Sequence, residues 1–251
     1  MQPDPKQGER EYFARIGIEG LAHSAAKPFS DDHCAQYLAV MTALFALLES
    51  PPRRIVEFGC GVGWLSLYLA RRGYDVLGVD ISTDAIVQAR ASRDALTENI
   101  RADFIAADYE EFSGAENFDY AIFHDALHHA EDERAALACA FRALKPGGAV
   151  ITFEPGTGHH DSATSQHAIR EFGVHEKDMP PKHIIRLARE IGFKRWLSLP
   201  HPHDINRALY RRAYHQAVTP SELVGRRWLS VFRGFRRMFR TRDQGMVILW
   251  K

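Results

Sequence analysis

The feature that most constrains this chain is the run Arg54-Ile55-Val56-Glu57-Phe58-Gly59-Cys60-Gly61-Val62-Gly63-Trp64. Arg53 and Arg54 lead into a short apolar run, Ile55 and Val56, which reads as a buried β-strand closed by an acid, Glu57. Glycines follow at every second position, and Trp64 to Arg72 then has the amphipathic pattern of a helix. Glycine lets backbone approach a ligand closely and take positive φ. A helix that begins behind such a turn offers free N–H groups and the positive end of its dipole. Strand, glycine turn and helix in this order form a layout that holds a cofactor.

The spacing narrows the choice of cofactor. A dinucleotide site asks for G-x-G-x-x-G. Here the third glycine comes one position early, and Trp64 stands where the third dinucleotide glycine would allow close helix–strand packing. That argues against NAD or FAD. The run from Glu57 to Gly63 instead resembles the first motif, acid-x-Gly-x-Gly-x-Gly, of the class I S-adenosylmethionine (SAM) methyltransferases. Asp80, Asp108, Leu127-His128-His129 and Leu144-Lys145-Pro146-Gly147-Gly148 follow in the order that this family shows, so the resemblance covers residues 54–154.

Read for organisation, Tyr74 to Asp80 is a second strand ending in an acid, and Ser82 or Thr83 caps a helix that runs to about Asp94. Phe104 to Tyr109 reads as the third strand with its exit loop. Phe118 to Phe123 reads as the fourth strand and Ala149 to Phe153 as the fifth, fed by the helix end at Leu144–Gly148. Strand–helix alternation with Gly/Pro turns predicts an α/β fold with a doubly wound parallel sheet, and the resemblance implies seven strands in a Rossmann-like methyltransferase fold. Ligands of such sheets bind beyond the carboxyl ends of the strands, and Glu57, Asp80, Asp108 and His124 all fall at predicted strand ends. Asp80 lies 21 residues after Gly59, as expected of a carboxylate that accepts both ribose hydroxyls. The resemblance then implies SAM as cofactor, with S-adenosylhomocysteine (SAH) as product. It implies contacts from Glu57, Gly59, Gly61, Gly63 and Asp80, with Ile81 packed on the adenine, Asp108 receiving the adenine amino group beside Tyr109, and His124 touching the cofactor just past strand four.

An oxygen nucleophile gains from a general base, and histidine titrates near neutrality. His128 and His129 are the candidates for that catalytic role. The same pair also reads as scaffold, one ring capping a helix and the other packing on the sheet. Glu154, His159 and His160 form a second polar group after strand five that could line an acceptor pocket. His128-His129 with Asp125, or His159-His160 with Asp161, would be the metal sets. Neighbouring residues rarely both reach one ion on regular structure, and His124-x-x-x-His128 lies at a strand exit, so no metal is expected. The run His124-Asp125-Ala126-Leu127 replaces the Asn/Asp-Pro-Pro-aromatic of amino-methylating nucleic-acid enzymes, which argues against a nucleic-acid partner.

The expected organisation is a helical lid segment over 1–50, a SAM-binding core over 51–202, a basic amphipathic helical insertion over 203–242 and a last core strand over 243–251. Tyr12, Phe13 and Lys27-Pro28-Phe29 are candidate lid contributors; a helix that merely packs on the sheet edge is the alternative. Ile184 to Gly192 reads as a helix and its stop, Phe193 to Leu199 as strand six, and Gln244 to Trp250 as an antiparallel last strand. In the insertion, Val224, Trp228, Val231, Phe235 and Met238 share one helical face, with arginines mostly opposite. From Glu222 to Lys251 there are eight Lys/Arg against two Asp/Glu, although the whole chain has zero formal net charge. That stretch fits a helix covering the sheet edge, a peripheral membrane contact through 222–240 or a phosphate-bearing ligand. Cys34, Cys60 and Cys139 are widely spaced and odd in number, which fits a reducing compartment. The polar N-terminus shows no signal peptide, so the expected place is cytoplasmic, at most peripheral to the inner membrane surface. A homo-oligomer is compatible with all of this.

Lys27-Pro28-Phe29-Ser30-Asp31 and Phe172 to Pro181 resemble a bacterial methyltransferase subgroup associated with glycosyltransferase and surface-polysaccharide genes. That implies a saccharide or glycolipid hydroxyl as acceptor. A small aromatic or quinone-like acceptor is the rival, since the aromatic N-terminal segment could wall its pocket. A SAM-binding partner protein without turnover is a third reading.

Overall fold

A computed structural model describes residues 4–213, 216–217, 232 and 245–251. The N-terminal segment forms three helices, α1 (Gln7–Arg15), α2 (Gly17–Ala25) and α3 (Cys34–Leu47). The last stops at Leu48, which is extended, short of Ser50-Pro51-Pro52, where proline bars a helix from continuing. The core follows as β1 (Arg54–Phe58), α4 (Trp64–Arg71), β2 (Asp75–Asp80), α5 (Thr83–Asp94), β3 (Arg101–Ala106) and β4 (Phe118–His124). A one-turn 3-10 helix (Leu127–His129) leads to α6 (Glu133–Ala143) and β5 (Leu144–Glu154). Then come α7 (Ala163–Phe172), α8 (Pro181–Ile191), β6 (Arg195–Pro200), α9 (Pro202–Tyr210), a short hairpin of β7 (Arg211–Ala213) and β8 (Gln216–Ala217), and β9 (Gly245–Trp250).

Among the described residues the main sheet has seven strands in the order β3-β2-β1-β4-β5-β9-β6. All neighbours are parallel except β9, which runs antiparallel to both β5 and β6. Strand order reverses between β1 and β4, where Phe58 lies opposite Phe123. A crevice opens at such a switch point because the connections leave to opposite faces. Two apolar cores cover the faces. One gathers Phe58, Phe123, Leu137 and Ile184; the other gathers Ile55, Leu65, Ile86, Ile122 and Ile151. The expected α/β doubly wound sheet is therefore the observed one.

Three elements differ from the sequence reading. The third strand begins at Arg101, with Ala102 and Phe104 buried and Arg101 and Asp103 exposed, and it ends before Asp108, which lies in the following loop. The Leu144–Gly148 run is part of β5 rather than a helix end, because Leu144 pairs with Phe118 before the register shifts and resumes at Ala149. Helices α2 and α7 were not anticipated. Within the insertion, α9 and the hairpin are described; the amphipathic stretch over 222–240 lies, but for Phe232, outside the described residues, as does Gln244. Among the described residues no helix is long and apolar enough to cross a membrane, and the three cysteines are free.

Candidate cofactor and acceptor site

The site is built from the glycine turn outward. Gly59 and Cys60 N–H groups donate to Val79 carbonyl O at 2.8 and 3.1 Å, which pins the turn to β2. Gly59, Gly61 and Gly63 take φ of 72, 52 and 79°. A Cβ on Gly59 would stand 2.5 Å from Ala126 Cβ, and one on Gly63 2.6 Å from Phe104 Cε1. Gly61 N–H donates to Asp80 Oδ2 at 2.8 Å, and Ser82 N–H donates to Oδ1 at 2.9 Å. The strand-end carboxylate is thus aimed by backbone on both oxygens. Burial pushes Asp80 up to about 6 in spite of these donors.

Glu57 is buried at the end of β1, where Ser66 Oγ donates to it, and burial pushes it up to about 8. No ion pair reaches it among the described residues. His124 ends β4 with Nε2 buried and without a hydrogen-bond partner, and burial presses its pKa down. Trp64 packs edge-on against it at 5.7 Å. Behind it, burial and His203 hold His201 down to about 3.

The N-terminal helices stand over this crevice and enclose a cleft of about 290 Å3. Lys6, Glu9, Tyr12, Phe13 and Lys27 line it, with Phe13 Cζ 3.1 Å from where a Cβ on Gly61 would be. Phe29 instead is 66% exposed and takes no part. Lys27 is half-buried over the Tyr37 ring at 5.0 Å, and desolvation lowers its pKa. The run from Phe172 to Pro181 closes the far side: Gly173 caps α7 at φ 72°, and Val174 and Glu176 reach the cleft.

Histidines and carboxylates meet at that side. Glu154, fully buried, accepts from the N–H groups of Ala126, Leu127 and His128 at 3.1, 2.8 and 3.3 Å and from His128 Nδ1–H at 2.7 Å. His129 Nδ1–H donates to His175 carbonyl O at 2.6 Å and lies 3.6 Å from Glu9 Oε1. Burial opposes the charge on His129, but Glu9 outweighs it and raises the ring to about 9. Burial likewise works against ionised Glu9, yet His129 and His175 bring it down to about 2. His159 Nε2–H donates to Glu176 Oε2 at 2.6 Å.

Glu57, Gly59, Gly61, Asp80, Ile81, Asp108, Tyr109 and His124 therefore line one cleft, while Gly63 supports the turn from behind. Tyr109 faces the core as well, donating to Ala126 carbonyl O at 2.9 Å. Of the histidine pair, His129 reaches the cleft and His128 does not. Glu154 anchors backbone rather than lining an acceptor pocket, and His160 is exposed. Lys6, Glu9 and Glu176 were missed by sequence reasoning. Only Glu176 carried a signal, since it sits in the Phe172–Pro181 run.

Comparison with known proteins agrees with this geometry. Residues 55–148 match a family described as a methyltransferase domain. The chain is 43% identical over 100 residues to an S-adenosyl-L-methionine-dependent Diels-Alderase of Talaromyces variabilis, covering 38% of this chain and 34% of that one. It is 28% identical over 153 residues to a ubiquinone biosynthesis O-methyltransferase of Psychrobacter arcticus, covering 57% and 60%. It thus spans 34% and 60% of the length of these two curated relatives. Among solved structures, magnesium protoporphyrin IX methyltransferase from Synechocystis PCC 6803 with bound SAH superposes with a TM-score of 0.61 at 18% identity, over 98% of both chains. Residues 55–148 thus match a methyltransferase domain, and the chain has the Rossmann-like methyltransferase fold.

Proposed function

We propose that this chain is a SAM-dependent O-methyltransferase acting on a small hydroxylated aromatic or quinone-like acceptor. The observation that carries the cofactor reading is a set of three acids, Glu57, Asp80 and Asp108, gathered around one glycine cradle, with Glu57 buried and lacking a cation. A buried carboxylate without a cation suits a ligand that brings positive charge. When bound, SAM supplies a methyl group made electrophilic by its sulfonium. Asp80 accepts from the ribose hydroxyls, Asp108 from the adenine amino group, and Gly61 gives close backbone approach. Glu57 and the unpartnered Nε2 of His124 face the remaining polar end.

The chain's remaining task is to place an acceptor oxygen in line, which is mainly positioning. His129, held charged by Glu9, presents a cation to the cleft. A nearby cation lowers the pKa of a bound phenol, ordinarily near 10. A saccharide hydroxyl is far less acidic and needs a strong base, which this cationic histidine does not supply. Tyr12, Phe13 and Val174 give the cleft an aromatic and apolar wall. The likeness to the ubiquinone biosynthesis O-methyltransferase of Psychrobacter arcticus supports the same reading. Residues 1–50 act as a lid over the core of 51–202, which 243–251 completes. A second reading, SAM binding without methyl transfer, is supported by the Diels-Alderase likeness.

Incubation with methyl-labelled SAM and separate catechol, hydroquinone, saccharide and glycolipid acceptors tests this. Label on a phenolic oxygen is expected. Label only on saccharide overturns the acceptor reading. No label on any acceptor, with SAH still bound, favours the second reading.

A further inference from the structure

We propose that His128, His129 and Glu176 form a binding site for one divalent transition-metal ion of the zinc, cobalt or nickel class at the acceptor side of the cleft. Their ligand atoms lie within 4.8 Å of one another. An ion held tetrahedrally at about 2.1 Å sets its ligands roughly 3.4 Å apart, so movements of about an ångström complete the site. The obstacle posed by adjacent histidines disappears on a one-turn 3-10 helix, where the two rings lie with centroids 4.1 Å apart.

Each ring is also turned the way a ligand ring is turned. Metal-binding histidines give their second N–H to a carboxylate or carbonyl, which fixes the tautomer and orients the ring. His128 Nδ1–H goes to Glu154 at 2.7 Å and His129 Nδ1–H goes to the His175 carbonyl at 2.6 Å. Nε2 of each ring is left for the ion, which on His129 displaces the proton that the ring otherwise carries beside Glu9. Glu154 is fixed in turn by three backbone N–H groups, so the support is rigid. Glu176 Oε2 stands 3.7 Å from His128 Nε2, and His159 orients its carboxylate at 2.6 Å.

Two imidazoles and one carboxylate suit zinc and its neighbours, whereas magnesium and calcium prefer oxygen alone. Three protein ligands leave a fourth position, as in catalytic rather than structural sites. His129 and Glu176 line the cleft, so that position faces the acceptor space. There the ion supplies positive charge to an acceptor oxygen, a role that rests on the methyltransferase reading; the binding of the ion does not.

The full chain, stripped with a chelator, is titrated with Zn2+ by calorimetry and with Co2+ by visible absorption. SAH is titrated in parallel. One Zn2+ per chain and a Co2+ ligand-field band are expected. Glu176→Gln and His128→Gln should each weaken binding at least about tenfold while SAH affinity is retained, and His167→Gln, on the exposed face of α7, should change nothing. If His128→Gln fails to fold, Glu176→Gln decides. Unchanged metal affinity in Glu176→Gln, or no stoichiometric binding to the wild type, overturns the proposal. Loss of SAH binding by the wild type would sink the cofactor reading while the metal titration still stands.

Discussion

Lys6 Nζ lies 2.6 Å from Asp108 Oδ2 and 2.9 Å from Glu110 Oε2, so the start of α1 is tied to the loop after β3. The residue expected to meet the adenine is thus also the latch point of the N-terminal segment. All three side chains are at most 12% exposed, which keeps the pairs from being fully screened. Lys6→Ala should cost the closed lid about 1 kcal/mol, and SAH should dissociate roughly fivefold faster by stopped flow. Unchanged or slower release would show that α1 does not gate the cleft.

Cofactor affinity should depend on pH in two steps. Asp80 sits at about 6 and Glu57 at about 8, both raised by burial. The ligand needs both as carboxylates, so protons must leave on binding at lower pH. Affinity should rise between pH 5 and 6 and again up to pH 8, each step by at most about tenfold per unit. Asp80→Asn should weaken SAH by about 10- to 100-fold and remove the lower step. Glu57→Gln should remove the upper one. A flat profile in the wild type contradicts the assignment of both acids.

Glu154 should matter for stability more than for chemistry. Glu154→Ala strands three buried N–H groups and the His128 ring. A loss of about 3 kcal/mol is expected, or roughly 6–12 °C in melting temperature for a domain of this size. A fall under about 2 °C would mean that the 3-10 helix holds itself.

Glycines in the turn and outside it should separate two costs. Gly63→Ala meets a positive φ of 79° and the Phe104 ring at 2.6 Å. Gly158→Ala meets a positive φ of 86° in open space. The first should lose about 2–4 kcal/mol to strain and overpacking, the second about 1 kcal/mol. Equal losses by denaturant titration would show that φ alone makes glycine necessary.

The strand-end acids were legible because local pattern dictates them: an apolar run needs a strand, and glycine or a cap must follow it. Ser82 as a helix cap and Gly192 past α8 were readable for the same reason. Arg101-Ala102-Asp103-Phe104 carries a period-two pattern that marks a half-buried strand, and the reading from Phe104 passed over it. Lys6 and Glu9 were not readable, and Glu176 only as a member of the Phe172–Pro181 run. Lys6 acts across 102 residues of chain, on Asp108, and Glu9 across 166, on His175, where only tertiary packing decides the pairing. The different duties of His128 and His129 turn on which ring Glu154 grips from β5, a contact no spacing announces.

Calorimetric titration of the purified chain with SAH and with NAD tests the central claim most directly. The account predicts one SAH bound per chain, no heat from NAD, and SAH binding weakened 10- to 100-fold in Asp80→Ala. NAD binding, or SAH binding that Asp80→Ala leaves unchanged, would contradict it.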